Sequence, residues 1–281
     1  MKKLRILFIA LAFAALFINV FGQEKTDSFQ VKISGKGKQA ILFIPGFACS
    51  GDVWNDTRAA YEKNYTCYTF TMAGFAGAPA EAAPGFKGWE NAIATYITQN
   101  KINKPIIIGH SMGGGLALAI ASDYPDLPSK IIIVDALPCL AAASNPDFKS
   151  NPNNDCSAMV ARFAAFTADQ FYQMQSHTMP QLMDDTAHLK QVINWSVTSD
   201  RRTFATMYCD FMNTDQRATI ANIKCPALVL LESYFATFKP TIEAQYANLK
   251  GAQLVYANKG KHFIMYDDTD WYNRQLAAFI K

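Results

Sequence analysis

The sequence predicts an α/β fold: a doubly wound, mostly parallel sheet with an inserted helical cap. Three observations predict it. Short apolar, β-branched runs recur between helix-length segments, the alternation expected of parallel strands covered by helices on both faces. One of these runs, Ile106-Ile107-Ile108-Gly109-His110-Ser111-Met112-Gly113-Gly114-Gly115, passes directly into Leu-Ala-Leu-Ala-Ile, so a buried strand turns sharply into a helix at Ser111. The rhythm then stops near Pro138 and resumes near Cys225, which leaves a long segment outside the sheet.

Taken in order, Phe29 to Ile33 forms a short leading strand, and Gln39 to Phe47 a buried strand ending in a Pro-Gly loop. Trp54 to Lys63 is helical and Tyr65 to Phe70 is a strand, followed by a Gly/Ala/Pro loop from Ala73 to Gly85. A helix from Trp89 to Asn100 precedes the Ser111 strand, and the helix after Ser111 runs to Tyr124. Lys130 to Asp135 is the next strand. Residues 139–222 open with a polar loop, Ser144 to Asp155, and continue as helices rich in Phe, Met, Tyr and Trp, which reads as the cap. Most of those aromatics pack within it, and a few face the sheet and line an apolar pocket. Strands follow at Cys225 to Leu231 and Ala252 to Ala257, with a closing helix from Trp271 to Ile280, so that residues 23–138 and 223–281 form the core.

The chain begins Met1-Lys2-Lys3-Leu4-Arg5, then runs apolar from Ile6 to Phe17, with small residues at Val20 and Gly22 before Gln23. Residues 1–22 therefore read as a cleaved secretory signal, and the product as periplasmic or secreted. The apolar stretch is shorter than the roughly 20 residues of a spanning helix, so no stable membrane anchor is expected. Cleavage would remove three of the 26 basic residues and none of the 23 acidic ones, leaving a neutral chain with no basic patch for nucleic acid. The six cysteines all follow the leader, where disulfides are permitted, and none shows metal-ligand spacing. Cys139 and Cys156 bracket the polar loop and could staple it, although spacing does not fix the pairing.

A serine hydroxyl becomes a nucleophile when an imidazole accepts its proton and a carboxylate holds that imidazole's tautomer. Only four histidines are available. His110 adjoins Ser111 on the turn and packs beside it. His177 and His188 fall in the cap, as solvated or structural groups. His262 follows the last strand at the sheet's carboxyl edge, where the Ser111 turn also opens, and is the candidate base. Glycine is needed at Gly109 and Gly113, because side chains there would clash across the turn.

With these motifs in place, the chain resembles a capped, single-domain α/β-hydrolase. Pro45-Gly46-Phe47 is similar to that superfamily's oxyanion loop, Gly109-His110-Ser111-Met112-Gly113-Gly114 to its nucleophile elbow, and Gly260-Lys261-His262-Phe263 to its terminal histidine loop. The resemblance implies that the backbone N–H groups of Phe47 and Met112 hold an oxyanion. Two positions depart from the pattern. Pro45 stands where a histidine often opens the oxyanion loop. After the strand ending at Leu231, where the superfamily usually carries its acid, the chain reads Glu232-Ser233-Tyr234-Phe235 without an aspartate. Some members place the acid one strand earlier, which is Asp135 here, so Asp135 is assigned as the orienting acid and Glu232 held in reserve. The alternative use of Asp135 is to cap the first cap turn.

The resemblance thus implies an esterase-like serine hydrolase acting on a small carboxylic ester or related acyl compound with an apolar part, through an acyl-enzyme. Amide, thioester and carbon-carbon bond cleavage use the same triad and stay open. No cofactor or metal is expected. The alternative is a non-catalytic protein of the same fold that binds an apolar ligand.

Overall fold

The computed structural model describes residues 22–281, so the expected leader lies outside the described residues except for Gly22. Its strands are β1 (Gly22–Lys25), β2 (Phe29–Ser34), β3 (Gln39–Ile44), β4 (Tyr65–Met72), β5 (Ile106–His110), β6 (Lys130–Val134), β7 (Ala227–Leu231) and β8 (Gln253–Tyr256). They form one sheet in the order β1-β2-β4-β3-β5-β6-β7-β8. β1, β2 and β4 pair antiparallel, and every later pair is parallel. All five residues of β5 and of β7 are buried, as strands covered on both faces must be.

Side chains alternate between two cores. Leu42, Ile44, Ile107, Ile131, Ile133 and Val229 pack on one face. Ile41, Phe43, Ile106, Ile108, Ile132 and Leu228 pack on the other. The period of two thus fills both faces with apolar bulk, much of it β-branched.

The helices are α1 (Asn55–Tyr61), α2 (Phe86–Gln99), α3 (Met112–Asp123), α4 (Ser157–Ala164), α5 (Ala168–Leu182), α6 (Thr186–Val197), α7 (Arg201–Met212), α8 (Lys239–Gln245), α9 (Ile264–Asp267) and α10 (Thr269–Ile280). The expected helix at Trp54 is entered through a 3₁₀ turn, Gly51–Trp54, which Ser50 caps by accepting from the N–H of Asp52. α2 starts three residues earlier than expected, because the N–H of Phe86 donates to Asp210 Oδ2 at 2.7 Å and receives its cap from α7. α8 lies in a stretch where no element was expected.

Four helices, α4 to α7, fill the interval between β6 and β7. Side-chain caps start three of them: Thr167 in a capping box with Gln170, Asp185 on the N–H of His188, and Asp200 on the N–H of Thr203. A disulfide joins Cys156 to Cys209, tying the start of α4 to α7. It corrects the suggested staple: Cys139 is free and buried, and Cys156 turns instead to α7. Gln216 closes the interval onto the core, its N–H donating to Pro138 O at 2.9 Å and its Nε2 to Gly115 O at 3.0 Å.

Candidate active site

Ser111 sits between the last residue of β5 and the first of α3, with φ 53° and ψ −123°. Such a left-handed conformation is costly for a residue with a side chain and persists only where the surroundings enforce it. The glycines around it show the enforcement. A Cβ on Gly109 would lie 2.1 Å from Gly113 O, and one on Gly113 would lie 2.3 Å from Ile44 O and 2.5 Å from Pro45 O. The strand, the turn and the end of β3 are therefore in backbone contact, and glycine is a steric requirement at both positions.

Sheet register brings the other candidates to the same edge. His110 is level with Val134, and Val134 with Leu230, so Ser111 and Asp135 emerge side by side, with Glu232 one residue further along, after the next strand. The loop after β8 then returns His262 to this edge. His262 Nδ1 lies 2.6 Å from Asp135 Oδ2, and Asp135 Oδ1 accepts the N–H of Glu232 at 2.6 Å. Because an ionised carboxylate only accepts, Nδ1 carries the proton and Nε2 is left free as an acceptor. The Asp135 side chain is wholly buried, whereas that of His262 keeps 23% exposure. Asp135 is fully used in this arrangement and caps no helix.

Burial works against charging His262, but the hydrogen bond and charge of Asp135, assisted by the charge of Glu232, outweigh it and raise the pKa above the ordinary imidazole value. His110 goes the opposite way. Burial, and then repulsion from His262, hold it well below that value, so it is neutral. It packs beside the site as expected and does one thing the sequence does not announce: its Nε2 lies 2.9 Å from the carbonyl of His262 and donates to it. His188 is structural, bonded to Asp185 and stacked on Tyr266 at 4.0 Å, and His177 is exposed.

A cavity of about 450 Å³ opens over Ser111. Ser111, His262, Asp135, Glu232 and Phe47 line it from the sheet side, and Met179, Leu182, Val192, Tyr208 and Phe211 from α5, α6 and α7. Phe47 joins the two layers, its ring centroid 4.5 Å from that of Phe204 and 5.7 Å from that of Tyr208. Its loop lies against the elbow, since a Cβ on Gly46 would be 3.2 Å from Ser111 Cβ. Met112 is the first residue of α3, where N–H groups have no partner within the helix. The backbone at Phe47 and Met112 therefore lies next to the serine. Cys49 also lines the cavity, but burial pushes its thiol up to about 12 and keeps it protonated.

One latch at this edge lies beyond sequence reasoning. Asp267 Oδ1 accepts the N–H groups of Asp184 and Asp185, in the turn between α5 and α6, and its Oδ2 accepts that of Lys261. Lys261 Nζ pairs with Asp184 at 2.7 Å and reaches Pro180 O at 3.0 Å. The His262 loop is thus fastened to the helices above it. An aspartate five residues after a histidine carries no local signal for such a role. Among the described residues, no group of histidine, cysteine and acidic side chains is arranged to hold a metal ion.

The comparisons with known proteins agree with this architecture. The chain is 24% identical over 254 residues to a Serratia proteamaculans protein provisionally named a carbamate hydrolase, covering 85% of this chain and 90% of that one. It is 23% identical over 202 residues to a pimeloyl-[acyl-carrier protein] methyl ester esterase of Aliivibrio fischeri, covering 72% of this chain and 77% of the relative. The solved structure of a hydrolase from Pseudomonas aeruginosa shares the fold with a TM-score of 0.78 at 13% identity, over 93% of this chain and 99% of that one. A model of the alpha/beta hydrolase family matches residues 41–275, most of the chain, and the protein therefore belongs to that family.

Proposed function

We propose that this protein is a serine hydrolase of carboxylic esters or closely related acyl compounds, working through an acyl-enzyme. The observation that carries the reading is the 2.6 Å contact between His262 and the buried Asp135 beside a serine held at φ 53° on a shared cavity. In the proposed reaction, Ser111 Oγ attacks the acyl carbon as its proton passes to His262 Nε2. The N–H groups of Phe47 and Met112 hold the resulting oxyanion, each such donor contributing about 3 kcal/mol. Collapse expels the alcohol, which takes the proton from His262, and water then repeats the sequence to release the acid. Asp135 keeps the imidazole in its working tautomer and offsets the charge it gains. The mainly apolar lining favours a substrate with an apolar part. The names of the relatives, a carbamate hydrolase and a methyl ester esterase, fit acyl chemistry of this kind.

The test is intact-mass analysis after treatment with a fluorophosphonate probe. A single adduct that disappears in Ser111→Ala is the expected result, and a folded wild-type protein with no adduct would refute the mechanism. We also propose export to an oxidising compartment, supported by the basic and apolar leader and by the Cys156–Cys209 bridge. Amino-terminal sequencing of the protein recovered outside the cytoplasm is expected to begin at Gln23.

A further inference from the structure

The cavity holds one carboxylate for which the proposed mechanism has no use. Glu232 follows β7 and lines the cavity beside His262. Its backbone N–H is committed to Asp135, but its side chain forms no hydrogen bond or ion pair among the described residues. The wall it begins is fixed to the histidine loop, because the Ser233 hydroxyl donates to Gly260 O at 2.7 Å. No lysine or arginine lines the cavity. Its other ionisable groups are the His262 and Asp135 pair, the neutral His110, the protonated Cys49 and the phenol of Tyr208.

Position within the reaction gives this carboxylate a meaning. The general acid must reach the leaving oxygen, so the alcohol part of an ester lies against His262 and the acyl part points away from it. A side chain on the histidine's flank therefore meets the alcohol. We propose that Glu232 selects the leaving group, favouring esters whose alcohol carries a cation and rejecting those whose alcohol carries an anion. This rests on the serine hydrolase reading.

The selection depends on pH. Burial, and then the neighbouring charge of Asp135, raise Glu232 to about 7, with Asp267 acting in the same direction and His262 and Lys261 against it. At high pH the carboxylate is ionised and attracts a cation, and at low pH it is neutral and indifferent.

Three esters of one acid separate the possibilities, with the acyl part fixed as acetate, butyrate or benzoate, whichever turns over fastest. The alcohols are choline, its neutral isostere 3,3-dimethylbutanol, and hydroxypropanesulfonate. A permanent charge on two of the three keeps substrate ionisation out of the profile. At about pH 8.5 the wild type is expected to prefer the choline ester over the neutral one by about tenfold in kcat/KM and to disfavour the sulfonate, a modest effect for a charge pair in a partly solvated cavity. At about pH 5.5 the preference is expected to shrink, and in Glu232→Gln it is expected to vanish at both values. Taking ratios cancels any effect of the substitution on His262 itself. A ratio unchanged in Glu232→Gln, or no wild-type preference for the cation, would overturn the proposal. Turnover of none of the esters would also overturn it, and the Ser111 adduct would then show whether the hydrolase reading falls with it.

Discussion

At the scale of single residues, the site separates two acids that stand side by side. Asp135 is buried and bonded to His262, whereas Glu232 meets the same imidazole only through space. Asp135→Asn is therefore expected to lower kcat on the order of a thousandfold to ten-thousandfold, as loss of the orienting acid does in other triads, while Glu232→Gln on a neutral ester changes it far less. Steady-state kinetics on the two variants checks this, and comparable losses would move the orienting role to the pair. Gly113→Ala makes a different prediction. Its Cβ would meet two backbone carbonyls that cannot rotate away, so destabilisation of about 1 to 3 kcal/mol or more is expected in thermal unfolding. Ser111 and Gly113 were legible because a strained turn has few chemical solutions, and His262 because it follows the last strand at the edge where that turn opens. The contact of His110 with the His262 carbonyl was not, since it joins residues 152 apart in sequence.

At the scale of elements, the cap is held by fastenings at separate places. The Cys156–Cys209 bridge closes a separation of 53 residues and braces α7, which carries the cavity residues Tyr208 and Phe211 beside the bridged cysteine. Replacing both cysteines by serine is expected to cost about 2 to 4 kcal/mol. For a chain of this size that corresponds to a fall of about 5 to 10 °C in Tm, read by calorimetry under non-reducing conditions. Asp267 is the second fastening. Asp267→Ala frees three N–H groups at once, in the α5–α6 turn and in the histidine loop. We expect a lower kcat together with a lower Tm, whereas a purely structural role would lower Tm and leave the kcat of the surviving folded enzyme intact. Strand and helix order followed from periodicity. The bridge did not, because a choice among six cysteines depends on which helices pack, and neither did the true start of α2, which is capped by an aspartate from α7.

For the whole molecule, pH couples the site to the fold. In the proposed mechanism activity requires neutral His262, whose pKa is raised because its positive form is favoured by Asp135 and Glu232, so kcat/KM on a neutral ester is expected to fall as pH drops through a value above the ordinary imidazole range. In Asp135→Asn that limb moves to lower pH. Stability responds with its own sign. Glu232 is raised in the folded protein to about 7 from an ordinary 4.5, so the folded state binds its proton more tightly than the unfolded one does. That contribution is complete below pH about 4.5 and is lost as pH rises through about 7. Glu232→Gln is accordingly expected to raise Tm by a few degrees above pH 8 and to change it little below pH 4, as thermal unfolding across that range will show.

By itself, the sequence determined the parallel sheet, the strained serine turn, the histidine loop and the identity of the two candidate acids. Each is written in local spacing: apolar runs of strand length, glycines at a tight turn, a polar residue placed just after a strand. The tertiary structure alone sets His262 against Asp135 rather than Glu232, pairs Cys156 with Cys209, and makes Asp267 a latch. Those outcomes depend on distances between segments far apart in the chain. Such distances are set by sheet register and helix packing, and no local pattern encodes them.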